Sequence, residues 1–348
     1  MTQLSLAHTA DLKKSEEIPE KGFFDKYNRK IDYLRISITD RCNLRCFYCM
    51  NSDEFKFMQH KEILNYEEII RIANLAVQNG VTKIRVTGGE PIVRKGIEEF
   101  IAALAQIPGI HDLSLTTNGI LLKDFAEELF RAGLQRINVS MDSLNSDKYA
   151  SITGGGKLKK VWEGIEKAER IGLTPIKINV VSIRGINDDE VLDFAKITLE
   201  RPFTVRFIEF MPLGSQNSWE ESRCIPVSEI KERIEHIYEL TPLSNGGHNG
   251  PAQEFQISGG LGKIGFISPL SDHFCASCNR LRLTADGQLR SCLFSDQETD
   301  LKTSLRNGAD DETILSLLRL AITNKPEKHK LDESYFKTCK RSMFAIGG

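Results

Sequence analysis

The sequence predicts an α/β fold built on a parallel sheet, and three observations carry the prediction. Six strand-like segments between Tyr33 and Phe210 are mostly each followed by a helix-like one. That spacing is the signature of βα units, which wind a parallel sheet with one handedness. Polar residues also recur at every second position of those strands, so one sheet face is wet where a doubly covered sheet would be apolar throughout. An open doubly wound sheet and a barrel-like arc both satisfy the first two observations. A lumen that holds an anionic ligand explains the third better.

Taken in order, residues 1–22 read as a solvated leader, without the apolar stretch of a signal peptide. Tyr33–Ile38 is a β-branched strand. Asn65, with Glu68 three residues on, caps a helix whose apolar face carries Ile69, Ile70, Ala73, Ala76 and Val77, and Gly80 ends it. Strands at Lys83–Thr87, Leu113–Thr117, Arg136–Met141, Ile176–Val181 and Thr204–Phe210 alternate with helices at Ile97–Ala105, Lys123–Ala132, Leu158–Ile171 and Asp188–Leu199. The pattern changes near Pro212. A loop at 213–219, a helix at Val227–His236 and a Gly/Asn loop at 244–250 precede a hairpin of Glu254–Ile257 and Lys263–Ile267. Helices are expected near Leu301–Leu305 and Glu312–Ile322. Residues 324–333 are polar and read as mobile, and the last residues, 343–348, are apolar and glycine-rich.

Composition narrows the class. The 348 residues carry 46 Lys+Arg against 48 Asp+Glu and are 40% apolar, too apolar for general disorder. A net charge of −2 argues against a general nucleic-acid or anionic-membrane binder, and no apolar run reaches the roughly 18 residues of a membrane span. A cytoplasmic location follows, and with it reduced thiols. The eight cysteines then need a reason other than disulfides.

Cys42, Cys46 and Cys49 fall within one loop after the first strand, and Cys275, Cys278 and Cys292 form a second triad. Three thiolates at such spacing suit zinc, with His60 or His273 as fourth ligand, or an iron–sulfur cluster with one open iron. Cys224 and Cys339 lack partners at a ligand spacing. The period-two polar positions include Arg35 with Ser37, Lys83 with Arg85, Ser114 with Thr116 and Asn118, Asn138 with Ser140, and Lys177 with Asn179. Arg206, Arg280 and Arg282 add cations, and a cavity so lined suits a triphosphate.

The Cys-X3-Cys-X2-Cys spacing, with Tyr48 before the third cysteine and Gly88-Gly89-Glu90-Pro91 ending a strand, resembles the radical S-adenosylmethionine (SAM) enzymes. With residues 34–40, 85–91, 206–212, Cys275-X2-Cys278-Asn279-Arg280-Leu281-Arg282 and the terminal Gly347-Gly348, the chain closely resembles the GTP 3′,8-cyclases of molybdenum-cofactor biosynthesis. The resemblance implies an incomplete (βα)6 TIM-like barrel of the radical SAM type over 23–212. It implies a C-terminal α+β extension with a second cluster over 213–330, and a tail, 331–348, that reaches the active site. It implies a 4Fe–4S cluster on Cys42, Cys46 and Cys49, a second on Cys275, Cys278 and Cys292, and SAM against Tyr48, Gly89, Ser140 and Met211. GTP would meet Arg35, Arg85, Thr116, Lys177, Arg280 and Arg282, while Arg206, Gly347 and Gly348 would serve catalysis. A 5′-deoxyadenosyl radical would take hydrogen from ribose C3′, and the C3′ radical would attack guanine C8. An electron donor and a downstream cyclic pyranopterin monophosphate synthase are the implied partners, with a homodimer left open and neither nucleic acid nor membrane involved. Two alternatives stand beside it: a radical SAM enzyme acting on a peptide, and a zinc module binding nucleic acid.

Overall fold

The computed structural model describes residues 22–50, 57–213, 219–244, 250–331 and 339–347. The leader 1–21, most of the loop at 213–219, most of the loop at 244–250 and Gly348 therefore lie outside the described residues. Six parallel strands form the centre: β1 (Tyr33–Ser37), β2 (Lys83–Thr87), β3 (Asp112–Thr117), β4 (Arg136–Ser140), β5 (Ile176–Ser182) and β6 (Thr204–Glu209). Between them run α1 (Tyr66–Gln78), α2 (Ile97–Ala105), α3 (Leu122–Arg131), α4 (Ser146–Thr153), α5 (Leu158–Arg170) and α6 (Val191–Glu200). The expected elements are all present within a few residues. The α1 start is the reciprocal capping box, with Glu68 N–H donating to Asn65 and Asn65 N–H to the Glu68 carboxylate at 2.7 and 2.8 Å. α4 was not expected, because only Tyr149, Ile152 and Thr153 of its eight residues are buried and the apolar periodicity is faint.

After β6 come α7 (Val227–Glu235), β7 (Leu240–Pro242), β8 (Gln253–Ile257), β9 (Lys263–Ile267), β10 (Arg280–Leu283), β11 (Gln288–Arg290), β12 (Thr299–Asp300), α8 (Lys302–Arg306), α9 (Asp311–Thr323) and α10 (Met343–Ile346). These strands do not make a separate sheet. The order is β12-β11-β10-β1-β2-β3-β4-β5-β6-β9-β8-β7, so β10 pairs parallel to β1 and β9 parallel to β6. Eight neighbouring strands thus run parallel, and antiparallel ribbons finish both ends.

Alternation splits the central strands between two environments. Ile84, Val86, Leu113, Leu115, Ile137, Val139, Ile176, Ile178, Val205 and Phe207 are buried in one apolar core with the helices. Their sequence neighbours point to the other face. The segment read as mobile, 324–333, is also tied down where it is described: Lys325 and His329 are buried. Among the described residues, no helix is long and apolar enough to cross a membrane.

Candidate active site

The polar sheet face encloses one cavity of about 280 Å³, lined from β1, β2, β3, β4, β5, β6, β9 and β10. Strand register brings the cations together. Arg282, Arg35, Arg85 and Ser114 stand side by side on β10, β1, β2 and β3. Neighbouring strands lie about 4.8 Å apart, and like charges about 5 Å apart repel by about 3 kcal/mol at an effective dielectric near 20. Burial first, and this repulsion beside it, lowers Arg35, Arg85, Arg206 and Arg282. Burial and then Arg282 push Arg35 down to about 9. Burial and then Arg85 push Arg206 down to about 9. Arg85 and Arg282 are pushed down to about 10, burial again the largest cause. Arg206 donates to Asn138 Oδ1 at 2.6 Å, but its Nε is buried without a partner among the described residues, as are Thr116 Oγ1 and Asn179 Oδ1. Buried polar atoms are nearly always satisfied, so a polyanionic ligand with acceptors and donors suits this wall.

Both cysteine triads open on the same cavity. All eight cysteines are free thiols. The first triad sits in the loop after β1, which is laced to the Gly88–Glu90 turn: Gly89 N–H donates to Thr39 O at 2.7 Å and Glu90 N–H to Arg41 O at 2.8 Å. A side chain on Gly89 would meet Arg41 O at 2.4 Å, so only glycine allows the approach. Leu44 N–H donates to Cys42 Sγ at 3.4 Å, Asn118 Nδ2 lies 3.7 Å from it, and Phe344 N–H donates to the Cys49 sulfur. Burial, then Cys42, raises the Cys49 thiol to about 12, and burial, Cys49 and Asp142 hold Cys46 well above the ordinary range.

In the second triad burial raises the Cys275 thiol too, but Cys278 has the opposite surroundings. Burial works to raise the Cys278 thiol, but Arg280 and Lys325 outweigh it and hold the group at about 6. Arg280 Nη2 and Lys325 Nζ each lie 3.3 Å from Cys278 Sγ. A cubane cluster spreads its thiolates over different irons, and both donor sets are thiols with N–H groups directed at sulfur. The chemistry of the donors therefore fits iron–sulfur clusters.

The cavity is also lined by Tyr48, Gly89, Ser140, Met211, Thr116, Arg206, Arg280 and Arg282, all singled out in the sequence. Lys177 does not line it; its Nζ pairs with Glu254 at 3.4 Å instead. Gly347 packs behind the wall, at φ +85°, where a side chain would lie 2.8 Å from Ser37 Cβ and Thr87 Cγ2, and its carbonyl accepts from Arg282 at 3.0 Å. Asn118, one of the period-two polar positions, lines the cavity as well, while Asp142, His329 and Phe344 line it without having been singled out in the sequence. Asp142 accepts from Tyr48 OH at 2.6 Å and is raised to about 6 by burial. It stands two residues beyond Ser140, so extending the period-two pattern past the strand end finds it. Lys325 and His329 carry no such signal.

Residues 36–197 match the Radical SAM superfamily, and residues 203–331 match Molybdenum Cofactor Synthesis C. A GTP 3′,8-cyclase of Syntrophomonas wolfei is 50% identical over 324 residues, 93% of this chain and 99% of that protein. A GTP 3′,8-cyclase of Thermodesulfovibrio yellowstonii is 53% identical over 326 residues, with the same coverage. Among solved structures, Streptococcus suis SuiB bound to S-adenosylmethionine matches with a TM-score of 0.60 over 92% of this chain and 79% of that one. At 15% identity that likeness concerns the fold alone. The relatives decide the matter: the chain is an enzyme that belongs to the radical SAM family of GTP 3′,8-cyclases.

Proposed function

We propose that this protein converts GTP to 3′,8-cyclo-7,8-dihydroguanosine 5′-triphosphate, the first step of molybdenum-cofactor synthesis. One observation carries the reading: two cysteine triads and five arginines (35, 85, 206, 280, 282) face a single cavity. The strands β1–β6 would be an incomplete (βα)6 barrel over residues 23–212. Residues 213–330 would carry the second cluster, and the tail 331–348 would complete the active site. Cys42, Cys46 and Cys49 would hold the cluster that binds SAM, and Cys275, Cys278 and Cys292 the one that meets guanine. Bound SAM would supply the 5′-deoxyadenosyl radical that takes hydrogen from ribose C3′, leading to the bond to C8.

The protein's own residues supply position and charge. Tyr48, Gly89, Ser140 and Met211 would orient SAM. Arg35, Arg85, Arg280 and Arg282, with Thr116, would take the triphosphate through charge-assisted hydrogen bonds, and Lys177 would join them by exchanging Glu254 for a phosphate oxygen. Arg206, buried and with one donor unspent, would meet charge near the reacting ribose, and Gly347 would hold Arg282 in place. A low-potential electron donor must precede the reaction, and a cyclic pyranopterin monophosphate synthase would consume the product, in a reducing compartment such as the cytoplasm.

Anaerobic iron and sulfide analysis of the reconstituted protein is expected to give about eight irons per chain. The reduced protein with SAM is expected to form 5′-deoxyadenosine faster with GTP than without it. Equal rates with and without GTP would sink the substrate assignment.

A further inference from the structure

Lys325 is an unusual residue to find beside a metal-ligand thiol. It is 2% exposed, and its ammonium donates to Cys278 Sγ at 3.3 Å, Arg280 O at 2.9 Å and Ser291 O at 2.5 Å. Three donors are thereby spent on one sulfur, on the Arg280 carbonyl and on the backbone next to Cys292. The charges that bear on it most are the thiols of Cys278 and Cys292 and the cation of Arg280, with no carboxylate among them.

The ammonium is fixed in place from outside. Arg29 donates to the carbonyls of Pro326 and Glu327 at 2.6 and 2.8 Å and to that of Cys275 at 2.7 Å, while Asp25 holds its Nε at 2.6 Å. His329 N–H is directed at the Cys275 sulfur. The segment from Lys325 to His329 therefore grips the second triad at both of its first two cysteines. The first triad, by contrast, has Asp142 and Glu90 among its charged neighbours.

We infer that Lys325 is a positioning residue that raises the reduction potential of the cluster on Cys275, Cys278 and Cys292. The inference rests on the second cluster proposed above. Reduction adds one electron to the cluster, and a fixed cation within hydrogen-bond reach of a ligating sulfur stabilises the more negative state. A hydrogen bond alone acts in the same direction but less strongly than one from a charged donor.

The test uses the full chain with Cys42→Ser, Cys46→Ser and Cys49→Ser, so that only the second triad holds iron. This background is reconstituted anaerobically and titrated with a low-potential one-electron reductant, followed by electron paramagnetic resonance. About four irons per chain are expected. Adding Lys325→Met or Lys325→Gln is expected to make the cluster about tenfold less reduced at a fixed potential, about 59 mV for a one-electron couple. Lys325→Arg, which keeps the charge, is expected to stay near the parent. An unchanged midpoint in both neutral variants overturns the inference. So does loss of iron from both, because Lys325 is then only a strut. A background without iron instead overturns the second-cluster reading itself, before any Lys325 variant is measured, and the inference falls with it.

Discussion

Lys177 shares a face of β5 with Asn179, and its ammonium is paired with Glu254 at 3.4 Å. Burial, then Arg206, pushes it down to about 8. An ordinary lysine titrates near 10.4, so between these values the unfolded chain binds more protons and folding gains stability as pH rises. A polyanion in the cavity works the other way, favouring the ammonium. GTP binding is therefore expected to take up protons at about pH 8.5, with affinity weakening as pH climbs through about 8. Calorimetry in two buffers of different ionisation enthalpy reads the uptake, and Lys177→Met is expected to reduce it; equal uptake in the variant would clear Lys177 of the role. Single residues like this one were legible as inward-facing cations, because alternation in a strand is strict. Their partners were not. Glu254 lies on β8 and Lys325 in a turn, and no local pattern ties either to a position far away in sequence.

At the scale of elements, α10 and the residue after it touch the surroundings of both cysteine triads. Phe344 N–H reaches the Cys49 sulfur, and Gly347 O receives Arg282. These contacts separate two truncations. Removing Gly347 and Gly348 is expected to lower cyclised product about a hundredfold or more, the scale of a small misplacement of a binding group, with iron content and spectra unchanged. Removing residues from Met343 onward is expected to disturb the first cluster as well. Iron analysis beside product assay checks both. The central βα units were readable because each strand and helix carries its own periodicity. β10 was not: its four residues, Arg-Leu-Arg-Leu, alternate too briefly, and its partner β1 is some 250 residues earlier. The expected mobility of 324–333 failed for a related reason. Polarity marks exposure only when the polar groups meet water, and here Lys325 spends its donors on protein atoms.

For the whole molecule, a net charge of −2 hides an inward concentration of positive charge. Folding must hold Arg35, Arg85, Arg206 and Arg282 near one another, so an anion that bridges them stabilises the fold. Tripolyphosphate or GTP at about a hundred times Kd is expected to add about 2.7 kcal/mol, a rise of roughly 5 °C in Tm. GMP at the same concentration is expected to give much less. Differential scanning fluorimetry under anaerobic conditions checks it, and matching shifts for GMP and tripolyphosphate would count against a triphosphate subsite.

The pairing of β10 with β1 has a mechanical consequence. β1 runs directly into the loop of the first triad, and β10 begins two residues after Cys278. Four consecutive residue pairs, Tyr33 with Arg280 through Ile36 with Leu283, join them. The separation of the two triads is therefore a property of a hydrogen-bonded ladder and not of a hinge. A ladder of that kind acts as a spacer: the first triad follows its β1 end and Cys278 precedes its β10 start, so drawing the two apart requires breaking backbone hydrogen bonds.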